Sequence, residues 1–223
     1  MPDNGTVLVM DAVVETYDAV DFALWPTAPP RADRLLALSG RMSPPEVGTA
    51  MAVLTSCGHD DADDSAPDSE AGVRRVQDLL GVDLVIAPGG ILLRDTAADV
   101  AIAPGCCFGL ENWRDWLGLM AGEEIWLGHG TATHIEHLES LVRLWPDTAP
   151  PARAPIELPL AELPDLLQSV HDKLNGFLDL AGQWAARYAL ASAPALIAKL
   201  DEDLDIGTPL PTKRVRNAST PTP

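Results

Sequence analysis

Leu163, Leu167, Val170, Leu174, Phe177, Ala181, Trp184 and Tyr188 follow one another at alternating gaps of four and three residues. This spacing keeps an apolar stripe on one side of a helix for about three and a half heptads, and nothing else in the chain is as periodic. Pro164 falls in the first turn, where a proline is tolerated. Gly176 and Gly182 weaken the helix by about 1 kcal/mol each relative to alanine. A stripe this long has to be covered. It can lie across a sheet of its own chain, or it can pair with a second copy to build a homodimeric scaffold. One apolar stripe also serves ordinary packing, and that favours the first arrangement.

What precedes the stripe alternates between short strands and helices. Thr6 to Met10 is β-branched and apolar and predicts a strand. Pro26, Pro29 and Pro30 make the segment from Asp11 to Arg41 an irregular connection. Ser43, Pro44 and Glu46 form a helix start of the capping-box kind, with Val47, Met51 and Leu54 on the inner face. A second helix is expected from Ser69 to Leu80, stopped by Gly81. Strands follow at Val82 to Ala87, at Ile91 to Arg94 with Val100 to Ala103, and at Glu124 to Leu127, with Pro88-Gly89-Gly90 as a turn. Thr133 to Leu138 and Leu141 to Trp145 read as a hairpin turning at Glu139-Ser140. Between these strands a helix from Leu110 to Met120 presents Leu110, Trp113, Leu117 and Met120 on one face, with Trp116 beside them. A final helix near Ser192 carries Leu196, Leu200 and Leu204. The expected fold is therefore α+β, a mainly antiparallel central sheet with packed helices and a long C-terminal helix. Residues 1–205 would form a single domain, with an acidic loop at 59–68 and a proline-rich linker at 146–155. The tail 206–223, rich in proline and threonine, is expected to be disordered.

Charge narrows the partners. There are 33 acidic and 15 basic residues, a formal net charge of −18. Such a surface repels phosphate and disfavours direct binding to DNA or RNA, while it attracts a basic protein partner. Asp60, Asp61, Asp63 and Asp64 crowd the segment from His59 to Asp68, which lacks the glycine and terminal glutamate of an EF-hand loop. Asp201, Glu202, Asp203 and Asp205 gather at the end of the last helix. The helix dipole disfavours negative charge at that end, a hint that a cation is held there. Cys57, Cys106 and Cys107 are too few for a disulfide framework and suit a reducing compartment. The N-terminus carries no basic and apolar leader pattern, and no run of about 18 apolar residues offers a membrane span. A cytoplasmic location follows. Scarce lysine with abundant alanine and proline suggests a GC-rich bacterial genome.

The chemistry-bearing residues are few. Cys106 and Cys107 precede a helix, where a thiol loses its proton more readily, and His129 or His134 could serve either as base. That constellation is the alternative, enzymatic reading; no family-type nucleophile motif surrounds it. His134 and Glu136 share a strand face and His137 takes the other, which leaves a zinc set incomplete. No cofactor or metal is expected. Pro88-Gly89-Gly90 lacks the frame of a phosphate loop.

Ala103 to Leu117, with the run Cys106-Cys107-Phe108-Gly109-Leu110-Glu111-Asn112-Trp113, then Trp126 to His129 and Val142 to Asp147, resembles a group of uncharacterised actinobacterial proteins. The order of hairpin, tryptophan-bearing helix and further strands is also distantly similar to the SUKH superfamily, whose members include immunity proteins that bind and block toxins. The resemblance does not reach the first part of the chain or the heptad helix, and it carries over no catalytic residue. Together with the charge it leads to an expected role as a non-enzymatic, acidic protein-binding domain of immunity or antitoxin type. Asp60, Asp61, Asp63, Asp64, Asp201, Glu202 and Asp203 would meet the basic partner.

Overall fold

The computed structural model describes residues 7–56, 70–129, 134–146 and 154–211. Along the chain lie β1 (Leu8–Glu15), β2 (Leu35–Ala37), α1 (Pro44–Ser56), α2 (Ala71–Gly81), β3 (Gly89–Asp95) and β4 (Val100–Ile102). A 3₁₀ helix follows at Leu110–Ala121, then β5 (His134–His137), β6 (Leu141–Trp145), β7 (Ile156–Pro159), α3 (Leu163–Tyr188) and α4 (Ala193–Asp203). One sheet has the order β2-β1-β3-β4 and the other β5-β6-β7. Each of these ladders is antiparallel, so the fold is α+β with a long C-terminal helix.

The periodic stripe of α3 is spent inside its own chain. Leu163, Leu167, Val170, Leu174, Phe177 and Ala181 are fully buried, and the helix packs on β1, α1 and α4. Gly176 has a packing reason. A Cβ there would stand 2.7 Å from the Cα of Gly40, so its bareness lets α3 seat closely against the loop after β2. The buried faces of both sheets, the 3₁₀ helix and all four α-helices join one contiguous apolar cluster.

Several expectations require correction. β1 does not end near Met10 but runs to Glu15, because the charge that seems to break it is answered. The Asp11 carboxylate lies 2.8 Å from the Lys173 ammonium and 2.6 Å from the Arg94 guanidinium. Lys173 also donates to the Met10 carbonyl at 2.8 Å, tying α3 to the strand. The segment expected to be irregular therefore contains the end of β1 and all of β2. Val82 to Ala87 forms no strand. Its backbone donors go instead to carboxylates, Val85 to Asp203 at 2.8 Å and Ala87 to Glu111 at 3.2 Å. Gly89 and Gly90, expected in a turn, open β3, and Gly90 leaves the space that the Phe108 ring fills. Glu124 to Leu127 is not a strand either. β7 was not anticipated, because four residues between prolines leave no visible alternation. The first hairpin, the second hairpin and α1 form as expected, and Glu46 accepts from both the backbone N–H and the hydroxyl of Ser43 at 2.7 Å.

The tryptophan-bearing helix is present with a different period. A 3₁₀ helix repeats every three residues rather than every 3.6. Leu110, Trp113, Trp116 and Leu119 are its buried set, while Met120, assigned to the inner face at α-helical spacing, is exposed. Trp113 donates from Nε1 to the Leu204 carbonyl at 2.9 Å, fastening this helix to the end of α4. Among the described residues no helix is long and apolar enough to cross a membrane.

Candidate functional site

After β4 the chain passes Pro104 and meets residues 127–129 in a short antiparallel clasp. Gly105 donates to the Leu127 carbonyl at 2.7 Å, Cys106 to the His129 carbonyl at 3.0 Å, and His129 to the Cys106 carbonyl at 2.8 Å. The clasp depends on Gly128. Its φ is 99°, and a Cβ would come within 2.6 Å of the Gly105 carbonyl oxygen and 2.8 Å of that of Cys106. A substituted residue would suffer both left-handed backbone strain and overlap.

The clasp brings two adjacent thiols to one imidazole. In extended chain, consecutive side chains leave opposite faces. Cys107 instead has a φ of 63°, a left-handed conformation uncommon for a residue with a Cβ. The ligand atoms of Cys106, Cys107 and His129 all lie within 4.8 Å of one another, and all three residues are exposed. An aromatic wall stands beside them. Trp126, 52 % exposed, meets the His129 ring edge-on at 5.2 Å and the Phe108 ring at 5.8 Å.

The Cys106 thiol is not activated as a cysteine at a helix N-terminus would be. The Cys106 thiol is pushed above its ordinary value of 9.0, chiefly by its hydrogen bond with the Cys107 side chain, then by desolvation, by the neighbouring thiol's charge and by Glu15. A helix N-terminus would have lowered it, but the 3₁₀ helix begins only at Leu110. The Glu111 carboxylate lies over its first turn, accepting from Asn112 Nδ2 at 3.0 Å as well as from Ala87. At neutral pH Cys106 is therefore a protonated thiol and a poor nucleophile. Glu15 is itself held above its ordinary value of 4.5, first by burial and second by the charge of Asp18.

The other nominated residues lie elsewhere. His134 opens β5, its ring 5.2 Å from that of Trp145, and it is not a member of the thiol group. Across the same sheet Arg143 pairs with Glu157 on β7 at 2.8 Å and with Glu136 on β5 at 3.4 Å. Asp60, Asp61, Asp63 and Asp64 fall outside the described residues. The acidic end of α4 is answered from within the chain. Asp203 pairs with Lys199 at 2.9 Å and caps the Val85 N–H, its side chain only 9 % exposed. Asp201 accepts from the Gly207 N–H at 2.5 Å. Asp205 pairs with Arg114 at 2.9 Å, and the Arg114 guanidinium also donates to the Asp205 and Thr208 carbonyls. The cations suggested by the dipole argument are thus Lys199 and Arg114, and Glu202 is the member of the cluster that stays exposed.

A separate apolar groove of about 270 Å³ runs between the start of α1 and the end of α3, lined by Pro26, Met42, Pro44, Trp184 and Tyr188 with Arg187 at its rim.

Sequence reasoning named both thiols and His129 but missed Glu15, Phe108, Trp126 and Gly128. Only Gly128 left a signal, a glycine next to the nominated histidine in a stretch otherwise read as strand and hairpin. The chain matches no family model, no curated protein and no solved structure.

Proposed function

We propose that this chain is a non-enzymatic binding protein for a basic protein partner, in the manner of an immunity or antitoxin-type inhibitor. The observation that carries this reading is the imbalance of 33 acidic against 15 basic residues, sharpened by where the cations sit. Lys173, Arg94, Lys199, Arg114 and Arg143 each face a carboxylate of the chain itself. These five of the 15 basic residues are paired within the chain, and the excess of 18 negative charges sets the sign of the outward field. A field of that sign steers a basic cleft toward the protein and raises the association rate more than the final affinity. The distant likeness to SUKH immunity proteins points the same way.

Asp60, Asp61, Asp63 and Asp64, which lie outside the described residues, and the exposed Glu202 are the residues proposed to meet the partner; Asp201 and Asp203 also serve the end of α4. The test begins with capture of partners from the native lysate at low and at high salt. The association rate of the recovered partner is then measured for the wild type and for a variant carrying lysine at Asp60, Asp61, Asp63 and Asp64. Slower association and a weaker salt dependence in the variant are expected. An unchanged rate and salt slope would defeat the steering argument.

The proximity of His129 to both thiols favours one second reading, a Cys/His-dependent enzyme. It requires one thiol to react selectively at neutral pH. Thiols in the folded chain that alkylate no faster than a free thiol would exclude it.

A further inference from the structure

We propose that Cys106, Cys107 and His129 form a binding site for a thiophilic d¹⁰ divalent cation of the zinc class. Two sulfur ligands and one imidazole are the donor set that zinc prefers among side chains. A tetrahedral zinc ion with Zn–S near 2.3 Å and Zn–N near 2.0 Å places such ligand atoms roughly 3.5–3.8 Å apart. The three atoms already lie within 4.8 Å of one another on exposed side chains. Rotations that shorten these separations by about 1 Å would close the set around an ion.

The backbone is built for this convergence. Two strained features hold it, the left-handed Cys107 and the Gly128 that no other residue replaces without overlap. Strain of this kind persists where the surrounding structure enforces it, and it gathers at binding sites. The clasp hydrogen bonds fix Cys106 and His129 side by side from distant parts of the chain. Three protein ligands leave a fourth position for solvent or for a ligand from another molecule, the arrangement of an open rather than a closed zinc site.

Binding converts two thiols to thiolates. Each Cys Sγ–H bond gives up its proton to solvent as the Sγ–Zn bond forms, and neutral His129 contributes a ring nitrogen lone pair. Two protons leave per ion and no electron is transferred. This site is independent of the electrostatic reading above, and either can fail alone.

The probes are Cd²⁺ and Zn²⁺ added to the full reduced chain. Cd²⁺ should produce a sulfur-to-metal charge-transfer absorption that saturates at one ion per chain, and Zn²⁺ should release two protons per ion. Competition against a chromophoric chelator should show Cys106→Ser, Cys107→Ser and His129→Ala each weakening Zn²⁺ binding by more than about 100-fold. Cys57→Ser and His134→Ala should leave it unchanged. A readout without substitutions decides the matter should those variants fold poorly. Zn²⁺ should shield Cys106 and Cys107 from iodoacetamide in the wild type, as read by peptide mass spectrometry. A charge-transfer band that survives loss of both Cys106 and Cys107, or alkylation of the pair at the same rate with and without Zn²⁺, would overturn the assignment.

Discussion

Asp11 shows how a single charged residue is made compatible with the interior of a strand. Burial alone would raise its carboxyl, and the hydrogen-bonded charges of Lys173 and Arg94 outweigh that, so the net direction is below the ordinary 3.8. A carboxylate held down in the fold contributes stability that is complete above its unfolded value and is lost as the pH falls through the folded one. Lys173→Met removes one of the two cations and also the bond to the Met10 carbonyl. The expected loss is about 1–3 kcal/mol at neutral pH by chemical denaturation. The acid limb below 3.8 should flatten, because less of that stability remains to be titrated away; an unchanged limb would mean Arg94 alone sustains the carboxylate. Glu15 has the opposite sign. Its carboxyl is raised by burial first and by Asp18 second. It therefore costs stability once the pH rises through its unfolded value, a deficit complete above the folded value. Glu15→Gln should stabilise the protein at neutral pH by a few tenths of a kcal/mol, since the group is only half-buried and its charge is partly screened. The gain should vanish below pH 4.5. A gain that persists in acid would point to packing of the amide instead of charge.

The two glycines of α3 separate intrinsic propensity from packing within one element. Each should gain about 1 kcal/mol on replacement by alanine if the helix alone mattered. At Gly182 the added Cβ would find only the Ile197 side chain at 3.8 Å, an ordinary contact. Gly182→Ala is expected to raise stability by about 0.5–1 kcal/mol. At Gly176 the Cβ would stand 2.7 Å from the Gly40 Cα, where backbone must shift. Gly176→Ala is expected to lower stability by about 1–3 kcal/mol despite the propensity gain. Equal effects at the two positions, read from denaturant midpoints, would refute the close approach. What was legible in the sequence follows the same division between local and distant causes. The α3 stripe, the α1 start and both hairpins were readable because periodicity and turn chemistry are local. The extended run at 82–87 was misread because its partners, Asp203 and Glu111, are side chains brought from elsewhere. The 3₁₀ helix was found but phased at 3.6 residues, which misplaced Leu117 and Met120 and left Trp116 to one side. At the site, both thiols and His129, nominated for the alternative enzymatic reading, are brought together by the fold while His134 is placed elsewhere; cysteine and histidine can be nominated from sequence because their chemistry goes with residue type. The Glu15 charge acts on Cys106 from the end of β1, far from it in sequence, and could not be inferred from neighbours along the chain.

For the whole molecule the governing quantity is the excess of like charge. With 33 acidic and 15 basic residues the folded chain confines a net charge of −18, and compaction brings those charges closer than they are in the unfolded ensemble. Salt acts on two opposed terms. It weakens attractive pairs such as Arg31–Asp33 and Arg74–Glu70, which are well exposed and worth only about 0–1 kcal/mol each. It also relieves the repulsion among the many carboxylates that have no cation in excess to meet them. Raising the ionic strength from about 0.01 M to about 0.15 M shortens the screening length from roughly 30 Å to roughly 8 Å. That range covers the separations between charges on different faces of a domain this size, whereas the half-buried Asp11–Lys173 pair, in closer contact, is screened less. Repulsion is long-ranged and summed over the excess; the exposed pairs are short-ranged and few among the described residues. The repulsive term should dominate, and the thermal midpoint should rise with added sodium chloride at neutral pH. Each kcal/mol of relieved repulsion would appear as about 2–4 °C for a chain of this length. The same field that would draw in a basic partner is therefore the field that strains the isolated protein, and a basic partner should stabilise it most at low salt. A midpoint that falls with salt would show that internal ion pairs outweigh the net charge. It would leave the steering argument to the association-rate measurement, since the excess of 18 negative charges projects a negative field whatever its effect on folding.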